Sequence, residues 1–388
     1  MRRFEIVIVG GGPAGSSTAL HLVRACGVDP QSIVVLDKQK HPRDKPCGGA
    51  VSAWGLEALA KLRLRDVSRS RPMLGLSLVE GSERGTTRGN LGVIVRRDEF
   101  DAALLDAARS DGVDVRDGEG LVSLAREGNG WTLGTTRETL AARVVCACDG
   151  AGSTVRKLLG LHEPARKGHL YVTDTPPMKA DGPVMSGLCE FDFTPVRHHV
   201  DGYYWDFPTP APAGGDDIWI NRGVYHANLH AASGREVKSS LARSLAERGV
   251  SINDVTLRPF STRPLVNESV FVHEGVLLVG EAAGIDRSTG EGIAQAILYG
   301  EIAARHASRV DAYGYDREVR ASRVVRHLRQ SAWLARHVYA PHGRAFRKLL
   351  LRSDHARDAG IRWYRGDALG PRAKAALFGR LLLEGLRA

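Results

Sequence analysis

Phe4-Glu5-Ile6-Val7-Ile8-Val9-Gly10-Gly11-Gly12-Pro13-Ala14-Gly15 is the stretch that decides the fold. A β-branched run stops at Val9 in three glycines, and a helical pattern from Ala14 to Val23 follows at once. Gly10, Gly12 and Gly15 have the G-x-G-x-x-G spacing, placed between a strand and a helix as the physics requires. Gly10 permits the tight turn, Gly12 lets a pyrophosphate approach the backbone, and Gly15 lets strand and helix pack closely. The N–H groups that open the helix add partial positive charge. The next apolar run, Ile33 to Leu36, ends in Asp37, 22 positions after Gly15, where an acceptor for a ribose hydroxyl belongs.

Outward from this unit, the segment from Arg96 (RRDEFDAALLDAARSDGVDV) predicts a helix with Phe100, Leu104, Leu105 and Ala108 inward, then a short strand. Another strand is predicted from Arg143 to Cys148, ending in Asp149-Gly150. Between about 160 and 265, aromatic β segments such as Tyr203-Tyr204-Trp205-Asp206-Phe207 alternate with Pro and Gly clusters, which predicts an antiparallel sheet. Val276 to Val279 returns as a buried strand, Gly280 opens a second glycine-rich loop, and Gly292 to Ser308 reads as a helix. The predicted class is therefore α/β. A discontinuous Rossmann-like domain covers residues 1–70, 92–160 and 266–310, and an inserted antiparallel β-sheet domain for substrate covers 71–91 and 161–265. A helical C-terminal region covers 311–388, with Val324, Leu328 and Trp333 on one side of one helix and Leu377, Leu381 and Leu382 on another.

The 388 residues suffice for two to three domains, and the 43% hydrophobic and 25% charged content is that of a globular chain. No apolar run approaches the length of a membrane span, and the one after Met1-Arg2-Arg3 ends in glycines rather than a cleavage site. Five cysteines (Cys26, Cys47, Cys146, Cys148, Cys189), odd in number and without a CxxC pair, suit a reducing cytoplasmic setting. Cys146 and Cys148 share one strand face, but further ligands for a metal are absent and core packing is expected. The net charge of +10 lies in the last part of the chain: residues 301–388 hold 19 Lys and Arg against 8 Asp and Glu. No zinc spacing, RNP-like run or helix-turn-helix pattern accompanies these arginines, so nucleic acid is not an expected partner. A solvated basic surface, an anionic membrane surface touched peripherally, a pyrophosphate-bearing substrate and an acidic carrier protein stay open.

The second loop, LLVGEAAGIDRSTGEGIAQAI from Leu277, is more than a simple NAD dehydrogenase needs. With it, PCGGAVS from Pro46, RRDEFDAALL from Arg96 and VCACDGAGSTVRKLLG from Val145 occur in order. The chain resembles FAD-dependent oxidoreductases of the aromatic-hydroxylase and geranylgeranyl-reductase superfamily, and PCGG with YYWDFP from Tyr203 resembles the geranylgeranyl reductase branch. The resemblance implies an FAD-binding domain in which Gly10, Gly12, Pro13, Ala14 and Gly15 hold the pyrophosphate, Asp37 and Lys38 lie at the adenosine ribose, and Arg97 contacts the cofactor from its helix. It places Gly280 and Glu281 at the ribityl-phosphate region, Gly290, Glu291, Gly292 and Ile293 along the pyrimidine edge of the flavin, and Cys47 and Gly48 over the ring. Two departures stand out: Glu281 where the family usually has Asp, and Arg287 where it usually has Pro.

Cys47 is read either as a proton donor to a substrate carbon or as part of the pocket wall, and Trp205, Tyr204 and Phe207 as aromatic residues that the resemblance places facing the flavin. His198 and His199, taken as adjacent strand residues on opposite faces, are left out of the site. What the resemblance implies is an FAD enzyme, with NAD(P)H as transient electron donor, reducing a C=C bond of an apolar isoprenoid or polyene-like substrate. The alternative is a monooxygenase acting through a flavin C4a-hydroperoxide on a natural product, since the shared scaffold serves both. A halogenase lacks its expected WxWxIP segment here, and a flavin-binding protein without turnover has no use for every cofactor loop.

Overall fold

The strand ahead of the glycine loop, observed as Arg2–Val9, lies near the middle of a largely parallel sheet in the computed structural model. The structure describes residues 1–367 except 165, 231–233, 287, 341 and 342, and beyond them only 372, 375, 376 and 379. Arg287 and the expected helix bearing Leu377, Leu381 and Leu382 lie outside the described residues.

Arg2–Val9 pairs in parallel with Ile33–Asp37 on one side and Thr139–Ala147 on the other. Asp114–Asp117 extends the sheet beyond Ile33–Asp37, and Val276–Leu278 extends it beyond Thr139–Ala147. Four of these strands are largely apolar and mostly buried, as parallel strands covered on both faces must be, and only the edge strand Asp114–Asp117 is polar and half-buried. Two helices that start in glycine loops, Pro13–Arg24 and Ile293–Ala307, pack against each other so closely that a Cβ at Gly300 would press on Ser17, whose hydroxyl donates to the Ile297 carbonyl at 2.8 Å. Residues 280 positions apart thus complete one layer, which is why the domain can be discontinuous.

The second sheet runs in the order Arg258–Thr262, Gly168–Thr175, Ile218–His226, Gly202–Pro210, Leu188–Asp192, Ser70–Glu80, Glu83–Val95, Ala50–Ser52. It departs from the expected purely antiparallel sheet at one seam, where Leu188–Asp192 runs parallel to Ser70–Glu80. Ala50–Ser52, expected in the first domain, joins this sheet through Glu83–Val95. One face of the sheet is covered by C-terminal helices, with Ala335, Val338, Leu351 and Ile361 in the same apolar cluster as Met73, Leu91 and Trp205. Of the three residues placed on one side of the helix Arg323–Val338, Val324 and Leu328 are buried, but Trp333 is 55% exposed. Nine residues from Val324 is half a turn out of phase at 3.6 residues per turn, so Trp333 faces away. His198 and His199 sit in a 3-10 turn and its left-handed exit, not in a strand. Among the described residues no helix is long and apolar enough to cross a membrane.

Candidate functional site

Both glycine loops open on one cleft of about 440 Å³ between the two sheets. At the first loop Gly10 has φ +109°, and a Cβ there would collide with the Cys148 carbonyl, while one on Gly15 would collide with Gly10. Gly12 differs, because its missing Cβ faces only the flexible tip of Arg43. It caps Pro13–Arg24 without a side-chain bond, and the first turn of that helix holds no acid. Gly292 caps Ile293–Ala307 in the same bare way. Two helix N-termini with no side-chain cap and no acid in their first turns therefore line the same cleft, an arrangement that attracts negative charge from a ligand.

Asp37 closes the first loop from the neighbouring strand. Its Oδ2 accepts from the Gly11 N–H at 2.8 Å and its Oδ1 from Gln39 N–H at 2.9 Å. Burial pushes this carboxyl up, but the bonds from His41, Gln39 and Gly11 and the charge of Arg43 win and hold it below the usual range. Lys38 lines the cleft beside it. Gly280, at φ +65°, brings the second loop against Ala14, and Glu281 lies across the cleft from Lys45, Nζ to Oε2 3.4 Å.

Lys45 and Arg43 come from the irregular segment 38–49, which has no periodicity to betray them. Lys45 stacks its ammonium over Phe260 at 3.8 Å, and burial lowers its pKa despite Glu281. Arg43 lies 3.3 Å from Asp101, which also takes both ends of the Arg97 guanidinium at 2.7 Å. Arg97 is buried; desolvation works against its charge, but Asp101 and the nearby Cys47 sulfur outweigh it and raise its pKa. Asp149 and Asp286 also line the cleft, both pushed up by burial, and Asp149 Oδ1 has no protein partner. Four cations (Lys38, Arg43, Lys45 and Arg97), two bare helix ends and an open Gly12 suit the phosphates of a dinucleotide, and the unpartnered Asp149 oxygen leaves a polar atom for one of its hydroxyls.

Cys47 stands where this cleft meets a second, aromatic chamber, whose other walls are Phe191, Tyr203, Trp205, Phe207, Tyr225 and Tyr364. Gly290, Glu291, Gly292 and Ile293 line both spaces. Gly48 lies under Phe207, where a Cβ would stand 3.2 Å from the ring, and Gly49 takes φ +72° against the Val95 carbonyl. Trp205 Nε1 donates to Asn221 Oδ1 at 2.8 Å, and Asn221 Nδ2 donates to the Cys47 carbonyl at 3.2 Å and to Asp174 at 2.7 Å. Asn221 went unnoticed because only the strand pairing of Phe207 with Asn221 brings it beside Cys47.

Of the three expected aromatics, Trp205 and Phe207 line the chamber and Tyr204 does not. It is fully buried on the opposite face of Gly202–Pro210, donating to Asp206 at 2.6 Å beneath Arg248. Side chains alternate along a strand, so Trp205 shares its face with Tyr203 and Phe207, and that alternation was there to be read.

A family model described as "FAD binding domain" matches residues 3–290. The chain belongs to this FAD-binding family. Members similar over most of their length include a digeranylgeranylglycerophospholipid reductase of Methanoculleus marisnigri, 25% identical over 83% of either chain, and an uncharacterized protein of Methanosarcina barkeri, 25% identical over 87% of this chain and 83% of that one. A rifampicin monooxygenase of Streptomyces venezuelae is 31% identical over 42% of this chain, a stretch spanning 35% of that enzyme. A geranylgeranyl bacteriochlorophyll reductase-like protein of Thermoplasma acidophilum shares the fold, with TM-score 0.74 and 20% identity over 98% of this chain and all of that one. The chain is an FAD-dependent oxidoreductase of this family.

Proposed function

We propose that this oxidoreductase reduces a C=C bond of an apolar isoprenoid or polyene-like substrate, with electrons derived from NAD(P)H. The observation that carries the reading is the aromatic chamber joined to the cofactor cleft at Cys47. Such walls favour hydrocarbon over polar substrates. The reductase relative similar over 83% of its length supports the same chemistry.

In this reading Gly10, Gly12, Pro13, Ala14 and Gly15 hold the FAD pyrophosphate, Asp37 and Lys38 border the ribose, and Arg97 contacts the cofactor. Gly280 and Glu281 border the ribityl chain, and Gly290, Glu291, Gly292 and Ile293 run along the flavin edge. Bound FAD supplies the electron pair and one hydrogen. Cys47 supplies the second hydrogen as a proton from Sγ, so that both carbons of the double bond gain a C–H bond, and the sulfur regains its proton from water. Arg97 lies close enough to offset the charge left on sulfur, and Asn221 with Trp205 holds the Cys47 backbone in place. The chamber has only about 40 Å³ free in this conformation, far below the space of ordinary ligand sites, so a chain substrate needs its aromatic walls to move apart.

Incubation of the flavin-loaded protein with NADPH and a geranylgeranyl lipid, read by mass spectrometry, tests the reading. The expected product gains two hydrogens per double bond, and Cys47→Ser lowers its yield. A product carrying one added oxygen would overturn it in favour of a monooxygenase, the reading that the rifampicin monooxygenase relative supports.

A further inference from the structure

The helix Arg323–Val338 has two faces with different partners. Inward, Ala335 and Val338 join the apolar cluster that contains Tyr203, Trp205 and Phe207, so the helix helps to cover the substrate side of the molecule. Outward, Arg326, Arg329, Trp333 and Arg336 recur at spacings of three and four and form one exposed stripe. The helix contains no Asp or Glu, and among the described residues no carboxylate lies within ion-pair distance of these three arginines.

The preceding helix, Ala312–Ala321, shows what a balanced basic surface looks like in the same region. There Arg320 binds Asp316 at 2.8 Å, and Glu318 accepts from Arg305 and His306. Arg323–Val338 has no such balance, and an indole leaning on His337, with ring centroids 4.3 Å apart, stands among its arginines. Arginine pairs with phosphate oxygens, and an exposed indole beside cations suits the boundary between headgroups and hydrocarbon. An acidic protein would satisfy the arginines but leaves the solvent-facing indole over the substrate side unexplained.

We propose that the outer face of Arg323–Val338 docks on an anionic lipid surface through Arg326, Arg329, Arg336 and Trp333. The docking stands apart from the reaction assigned above; only its use, bringing the chamber to a lipid-like substrate, rests on that reading.

Flotation of the full flavin-loaded chain with vesicles tests it, without any substrate or turnover. Vesicles of phosphatidylcholine with phosphatidylglycerol should bind the protein, and vesicles of phosphatidylcholine alone should not. Raising salt from about 0.1 to about 1 M, which shortens the screening length from about 10 to about 3 Å, should release it. The combined Arg326→Gln, Arg329→Gln and Arg336→Gln variant should bind on the order of 100-fold more weakly, and Trp333→Ala several-fold more weakly, with flavin colour and melting unchanged. Equal capture by neutral vesicles, wild-type binding by the triple variant, or salt-sensitive binding to an acidic acyl carrier protein with none to anionic vesicles would each overturn the proposal. An active reductase with no vesicle binding would remove the docking alone.

Discussion

The strand Gly202–Pro210 presents two opposite surfaces made from alternate residues. On one face Tyr203, Trp205 and Phe207 enclose apolar space beside Cys47. On the other, Asp206 takes Arg222 Nη1 at 2.8 Å together with a bond from Arg248, and Arg248 reaches Glu190 at 2.8 Å and Asp192 at 3.4 Å. Arg222 also meets Asp181 and donates to Thr175 at 2.9 Å, with its whole side chain out of water. The difference teaches that the sheet is held from behind. Aromatic walls that must part for a ligand cannot also be the rigid layer, so charge pairs with full partners supply the rigidity on the far face.

The largest blow to that arrangement is Arg222→Met. It leaves Asp206 and Asp181 short of a buried partner, and a loss of about 3 to 5 kcal/mol in chemical unfolding is expected. Equal stability of the variant and wild type would show that the far face is not the support. Next comes Cys47→Ser, at the cavity edge. The protein should stay yellow and melt as before while turnover drops at least tenfold; unchanged turnover would return Cys47 to a wall residue. Smaller still is the paired test on the strand itself. Tyr204→Phe should cost about 1 to 2 kcal/mol of stability with no effect on turnover, whereas Trp205→Phe, which drops the N–H to Asn221, should cut turnover about fivefold with little change in melting. If the two variants behaved alike, the faces would not differ in role.

The mildest effect belongs to an ion pair at the rim. Burial pushes the Glu163 carboxyl up, but bonds from Arg263 and Lys167 together with their charges outweigh it and hold its pKa down at about 2. A depressed carboxylate adds stability that is fully present above its unfolded value and fades as pH falls toward the folded one. Wild type should therefore lose stability relative to Glu163→Gln between about pH 4.5 and pH 2, and parallel pH curves for the two would show that the pair contributes nothing.

The cofactor cleft was legible because its makers are local. Gly10, Gly12, Gly15 and Asp37 occupy one unit, and Gly280 to Ile293 another, each a strand, a turn and a helix. The aromatic chamber was only half legible. Trp205 and Phe207 were picked, but with Tyr204 instead of Tyr203, an error of period rather than composition. Asn221 and Tyr364 reach the chamber through strand pairing and helix packing across long separations, for which a linear pattern carries no sign. Arg43 and Lys45 sit in a segment without regular structure, and nothing in their spacing distinguishes them from solvated charges.

The late return of the chain to its first sheet has a consequence for synthesis. The Cys146-Ala147 end of Thr139–Ala147 waits open on one edge until Val276–Leu278 arrives, and the second bare helix end follows at Ile293. At about 5 to 20 residues per second a ribosome takes roughly 6 to 26 seconds to make the intervening length. Throughout that interval the nascent chain displays a finished glycine loop and an unfinished cleft, so flavin can be captured firmly only when most of the polypeptide has already emerged.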